Sequence, residues 1–266
     1  DTVTVYNSDS STTPLAGTSS ATRGLYMSGN AVRLAAQSVR GRLAERAALH
    51  FGAEPGEIDF ADGTVFVAGD RERSIELREL VAICASEGIH RAELAIFRAP
   101  FGDKLDPETG QGQVHPDYTF GAHAVEVAVD TETGEVTILK SVGAHDVGQA
   151  VNPEAVEGQI EGGAAQGHGY ALSEELIYEE GRLVTPSLSE YLCPTTMDLP
   201  RIQSIILESR SGLGPFGAKG IGEPGHTPAA PAVANAVADA IGTRIFSLPI
   251  TPEKVCAALE ARNLGE

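Results

Sequence analysis

Three stretches carry residue types that could do chemistry. The first is Gly217-Ala218-Lys219-Gly220-Ile221-Gly222-Glu223-Pro224. Its glycines let backbone turn sharply or come close to a ligand. Pro224 stiffens the chain directly after a lone carboxylate. A single acid presented on glycine can serve as a general base; a solvated surface loop would have the same composition. The second is Gly17-Thr18-Ser19-Ser20-Ala21-Thr22-Arg23-Gly24, ahead of a helical pattern. Hydroxyls leading into a helix N-terminus suit phosphate or another anion, because free amides and the helix dipole point there and Arg23 adds a full charge. Capping and solvation of a turn would use the same hydroxyls. The third runs from Asn152-Pro153 through Glu157-Gly158-Gln159-Ile160-Glu161-Gly162-Gly163-Ala164-Ala165-Gln166-Gly167. Gln159 and Gln166, seven apart, share a helix face and could hydrogen-bond a ligand without changing its charge. Close helix packing explains the glycines but not the glutamines. His123 and the pair His145-Asp146 sit near the open end of a hairpin, with no third ligand or nucleophile at a suggestive spacing. Histidines satisfied by local hydrogen bonds are expected there.

The elements that position these residues are legible in part. Residues 2–6 alternate as a strand, and the turn at Ala61-Asp62-Gly63 divides short strands over 57–75. A helix is expected over about 28–51, with Ser28 as N-cap and Val32, Ala35, Ala36, Val39, Leu43 and Ala47 at apolar positions. A shorter helix covers about 76–86. Residues 99–116, with Gly102 among their breakers, read as loop. Val125, Val127 and Val129 alternate before the turn Thr131-Glu132-Thr133-Gly134, and Glu135–Val142 returns as a hairpin partner. Asn152 caps a helix that keeps its glycines against propensity. Then come a second hairpin around Glu180-Gly181, a strand over 201–208, a small-residue helix from Ala229 to Ile241 and a last helix capped by Thr251. Helices mixed with antiparallel hairpins, without a βαβ rhythm, predict an α+β fold. No GxGxxG fingerprint follows a strand, and Lys219 is not in P-loop order. Two subdomains are expected, 1–116 with the hydroxyl-rich loop and 117–266 with the glycine helix and the Glu223 loop.

Bulk properties exclude several classes. The chain has 266 residues, 42% of them hydrophobic, and a net charge of −18. That charge, with no basic stripe and no Trp, argues against nucleic acid and anionic membrane as partners. No apolar run reaches membrane-span length. Cys84, Cys193 and Cys256 form no CxxC pair, which argues against an iron–sulfur cluster, a structural zinc or a disulfide framework in this chain. A reducing, cytoplasmic setting is expected. The chain opens on Asp1 in what reads as mid-strand, as a fragment or processed chain would.

Taken together, these blocks resemble the C-terminal part of the molybdenum-binding subunit of the xanthine dehydrogenase and aldehyde oxidase family. The match is carried by Thr12-Thr13-Pro14 with Gly17–Gly24 and Ser28–Val32. It continues through Phe120–His123, Ala144–Gly148, Asn152-Pro153, Glu157–Gly163 and Gln166-Gly167. It ends with Gly217–Pro224 and Pro228–Ala236. Order and spacing hold over nearly the whole chain. The resemblance implies a molybdopterin cofactor with molybdenum, often the cytosine dinucleotide form, bound at Ser19, Ser20, Ala21, Thr22, Arg23, Gln166 and the loop holding Lys219. It implies Glu223 as the catalytic general base in water-derived hydroxylation of an aldehyde or N-heterocycle, and no protein ligand to the metal. The rest of the site is implied on a chain with the family's earlier half, and the iron–sulfur and flavin groups on partner chains. Gly225-His226-Thr227 departs from the proline and apolar residues of many relatives, which leaves the substrate open. Two other readings stand beside this one: a scaffold or assembly domain that binds no cofactor alone, and a hydrolase pairing Glu223 with Glu161 or Glu174.

Overall fold

In a computed structural model, residues 3–100, 105–112 and 114–264 are described. They divide into two compact units. One comprises Asp1–Ser19 and Arg23–Pro100; the other comprises Ser20–Thr22 and Phe101–Glu266.

The first unit is a helix pair on a small sheet. A π-helical turn, Gly24–Gly29, runs directly into helix α1, Asn30–Phe51. The helix therefore starts before Ser28, which lies inside it rather than capping it. An N-cap needs extended backbone, and the helical run has already begun at Arg23 (φ −58°, ψ −40°). Strands β1 (Ile58–Ala61), β2 (Thr64–Val67) and β3 (Asp70–Glu76) form an antiparallel meander, and α2 (Leu77–Ser86) follows. The core joins Leu43, Ala44, Ala47 and Ala48 of α1 to Ile58, Val65, Val67 and Ile75 of the sheet and to Leu80 and Cys84 of α2. The expected apolar stripe on α1 is thus buried only in its second half; Val32 is exposed. Val3–Tyr6, expected as a strand, have no regular structure, and Val3, Val5 and Tyr6 are exposed. Alternation makes a strand only where a neighbour completes its hydrogen bonds, and none pairs with it among the described residues. Thr2 and Gly102 lie outside the described residues.

The second unit holds the candidate site. Strands β4 (Gly121–Val129) and β5 (Val136–Asp146) make the expected hairpin. Asp130 closes its turn by accepting from the amides of Glu132 (2.8 Å) and Thr133 (3.1 Å). Helix α3 (Pro153–Leu172) is capped by Asn152, whose side chain accepts from the Ala155 amide. A two-stranded hairpin, β6 (Tyr178–Glu179) and β7 (Arg182–Leu183), precedes β8 (Ile202–Leu207). Strand β8 pairs parallel to β5, with Ser141 opposite Ile202 and Asp146 opposite Leu207. The connection through α3 is therefore a crossover, which the sequence pattern does not reveal because a long irregular segment separates helix from strand. Helices α4 (Ala229–Ile241) and α5 (Pro252–Asn263) close the unit, α5 capped by Thr251. Ile138, Ala171, Val233, Val237, Ile241, Ile250 and Val255 form its main core.

Candidate active site

The Glu223 loop is fixed at its base and open at its tip. Gly217 takes φ +86°, and a Cβ there would lie 2.5 Å from the Arg210 carbonyl oxygen, so only glycine fits. The Gly217 carbonyl accepts from the Gly212 amide (2.9 Å), and the Ala218 carbonyl from the Gly214 amide (3.0 Å). The Lys219 amide donates to the Val147 carbonyl (2.8 Å), which ties the loop to the end of β5. The Thr119 hydroxyl donates to the Gly220 carbonyl (2.9 Å). Ala218 and Lys219 are buried, whereas Glu223 is exposed. The Glu223 carbonyl accepts from the His226 amide (3.0 Å) and the Thr227 amide (3.3 Å), so backbone holds the turn and leaves the carboxylate uncommitted.

Helix α3 supplies the wall behind this loop. Residues 159, 163 and 167 are one turn apart and form a single stripe. A Cβ on Gly222 would lie 3.4 Å from the Gln159 side-chain oxygen. A Cβ on Gly163 would lie 2.8 Å from the backbone of Gly225 and His226, and one on Gly167 would lie 2.5 Å from the Ala229 Cβ. These glycines are needed for close packing. Gly158 and Gly162 face open space, so the expectation of one tightly packed glycine face holds for only part of the helix. Gln159 therefore sits beside the Glu223 loop. Gln166 is exposed on α3, about 10 Å farther along the axis by helical rise.

Of the hydroxyl-rich loop, Ser20–Thr22 belong to this unit. Thr22 meets Gly220: a Cβ on Gly220 would lie 2.1 Å from the Thr22 hydroxyl oxygen and 2.9 Å from its Cβ. Two segments far apart in sequence, both expected to border a cofactor, touch here. Ser20 and Ala21 are exposed, and Ala21 takes φ +47°. Ser19 and Arg23 belong to the first unit, where the Arg23 guanidinium lies against Gly17.

Beneath the loop lies a charged pair that the sequence pattern did not single out. Lys219 is only 5% exposed, and its ammonium donates to Asp146 at 2.7 Å and lies 5.5 Å from the centre of the Phe120 ring. Asp146 also accepts from the Gly148 amide (3.0 Å), the Ser209 amide (3.2 Å) and the Ser209 hydroxyl (2.9 Å). Burial opposes its charge, but the Lys219 ammonium and the three other donors outweigh that and hold the carboxyl far below the usual range. Next to it is a histidine cluster. His123 and His168 both reach the buried Ser141 hydroxyl, at 2.8 and 3.2 Å. His145 is fully buried with neither ring nitrogen partnered among the described residues. The expectation of locally satisfied histidines thus holds for one nitrogen of His123 and fails for His145, which β5 turns into the interior; the sequence pattern does not single out His168. Burial lowers the pKa of all three, that of His168 to about 4. Glu174 accepts from the Tyr191 hydroxyl (2.6 Å).

A profile of the molybdopterin cofactor-binding domain matches residues 1–200. The chain belongs to that family. Its relatives are molybdenum enzymes of the xanthine dehydrogenase and aldehyde oxidoreductase type. It is 36% identical over 245 residues to a probable hypoxanthine oxidase, XdhD, of Escherichia coli K12, covering 90% of this chain and 24% of that protein. It is 31% identical over 275 residues to the gamma subunit of the 6-hydroxypseudooxynicotine dehydrogenase complex of Paenarthrobacter nicotinovorans, covering 99% of this chain and 33% of that one. Among solved structures, quinoline 2-oxidoreductase of Pseudomonas putida 86 superposes with a TM-score of 0.77 at 33% identity, over 91% of this chain and 30% of that one. The chain spans about a quarter to a third of the length of these relatives. The molybdenum-cofactor-binding α+β fold is common to the group.

Proposed function

We propose that this chain supplies one wall of a molybdenum-cofactor site in a hydroxylase, with Glu223 as general base. The observation that carries the reading is the contact of Thr22 with Gly220, which brings the hydroxyl-rich segment to the loop of Glu223. The residues present suit a phosphate-bearing pterin. Ser20 and Ala21 are exposed, Gln159 adds an uncharged amide beside Gly222, and Gly220 lets Thr22 come up against the loop. Ser20, Ala21 and Thr22 would hold the phosphate end, in the cytosine dinucleotide form, with Gln159 and Gln166 along the pterin. Lys219 contributes through the loop that it anchors.

When bound, the cofactor supplies oxygen-transfer and two-electron redox chemistry. Glu223 accepts the proton released as the substrate carbon gains its water-derived oxygen. Its carboxylate is spent on no ion pair among the described residues, so it is available for that transfer. It is exposed in this chain; the desolvation a general base needs comes from the rest of the enzyme. That remainder includes the other half of the site and partner chains with iron–sulfur and flavin groups, as the naming of one relative as a complex subunit supports. Relatives are named for hypoxanthine and quinoline and others for aldehydes, which supports an N-heterocycle or an aldehyde as substrate. The free cysteines Cys84, Cys193 and Cys256 support a reducing, cytoplasmic setting.

The test is Glu223→Gln in the assembled enzyme, with molybdenum per subunit measured beside kcat. Loss of about 10²–10⁴-fold in kcat, the usual share of a general base, is expected with metal content unchanged. Turnover near wild type would overturn the assignment of the base. Absence of molybdenum from the purified wild-type enzyme would overturn the cofactor reading and favour a scaffold.

A further inference from the structure

We infer that Asp146 and Lys219 form a buried latch that sets the position of Glu223, so that Asp146 is a positioning residue for the reaction. This rests on the reading of Glu223 as the base. Asp146 ends β5 and gathers donors from three separate segments: Gly148 after its own strand, Ser209 after β8, and Lys219 of the loop. Lys219 is held twice, by its ammonium on Asp146 and by its amide on the Val147 carbonyl. Both contacts lie four residues before Glu223. The next residue, Gly220, is the one that meets Thr22 and accepts from Thr119. The latch therefore fixes the point from which the exposed tip extends.

The chemistry of the pair makes it directional. Its ammonium is nearly shut off from water, with Asp146 its only hydrogen-bond partner among the described residues and the centre of the Phe120 ring 5.5 Å away. Such a cation does not relocate toward a ligand when its partner is present. Removing one member of a buried pair strands the other, whereas replacing both with neutral groups is far milder. Asp146 keeps three donors when Lys219 is neutralised, but Lys219 keeps no carboxylate when Asp146 is neutralised. Asp146→Asn is thus the more damaging change.

The test uses the complete enzyme with Asp146→Asn, Lys219→Gln and the double variant, beside Glu223→Gln. Three quantities are read: kcat per bound molybdenum, KM, and deuterium exchange of the amides over 217–227. The latch predicts a fall in kcat of about 10–100-fold for the single variants, on the scale expected of a misplaced catalytic group. It predicts little change in KM, and amide exchange over the loop at least about tenfold faster, in proportion to stranded buried charge. The double variant recovers most of both effects. Should Asp146→Asn fail to fold, Lys219→Gln and the double variant carry the test. Wild-type exchange and kcat in Lys219→Gln, or a double variant as impaired as the product of the singles, would overturn the latch. The exchange readout does not depend on Glu223: faster exchange together with an active Glu223→Gln enzyme would retain the anchoring and reject the base.

Discussion

Acidification below pH 6.5 should loosen the second unit, and the buried His168 sets the size of the effect. His168 is 1% exposed, on the helix that walls the site. Burial, and then the neighbouring His123, push its pKa from 6.5 to about 4. A base whose folded pKa lies below its unfolded value binds more protons unfolded than folded. Its stabilising contribution is complete above pH 6.5, falls away as pH drops, and is fully lost below about pH 4. The whole shift corresponds to about 3 kcal/mol, of which about 2 kcal/mol is gone by pH 5. His123 and His145, shifted in the same direction by burial, add to the loss. The assay is urea unfolding followed by circular dichroism at pH 7.5 and pH 5, for wild type and His168→Gln. Glutamine can still reach the Ser141 hydroxyl but does not titrate. The variant should be less stable at pH 7.5 and lose about 2 kcal/mol less than wild type between the two values. Equal pH dependence in both proteins would refute the reasoning, because the slope would then arise elsewhere.

Two further substitutions probe the scaffold. Gly220→Ala places a methyl 2.1 Å from the Thr22 hydroxyl; it should cost about 1–3 kcal/mol by overpacking and lower molybdenum content, and adding Thr22→Gly should restore part of both. Retention of full metal by Gly220→Ala would show that the contact is not needed. Leu80→Ala, at a fully buried position in the first unit, should destabilise by about 2–5 kcal/mol in urea unfolding while leaving exchange of the 217–227 amides unchanged.

The sequence by itself determined the local elements of this protein. Periodicity marked the β4–β5 hairpin, the small-residue helix α4 and the caps Asn152 and Thr251, because these depend on neighbours within a few residues. The order of the glycine-rich blocks was enough to point to the family that the profile match establishes. What depends on distant chain was not legible. The π-helical entry to α1 displaced Ser28 from its expected cap, and Val3–Tyr6 alternate without a partner strand. Parallel pairing of β8 with β5 depends on a crossover whose ends are more than fifty residues apart. Only the folded chain put Gln159 rather than Gln166 beside Gly222. Asp146, adjacent to His145 in sequence, has no role that its spacing assigns. In the structure its charge is consumed by Lys219, 73 residues later. A buried ion pair is chosen by three-dimensional proximity and desolvation, and no spacing rule encodes either. The glycine loop could be recognised as a place to present an acid; which groups hold it there was decided by the tertiary packing under Lys219.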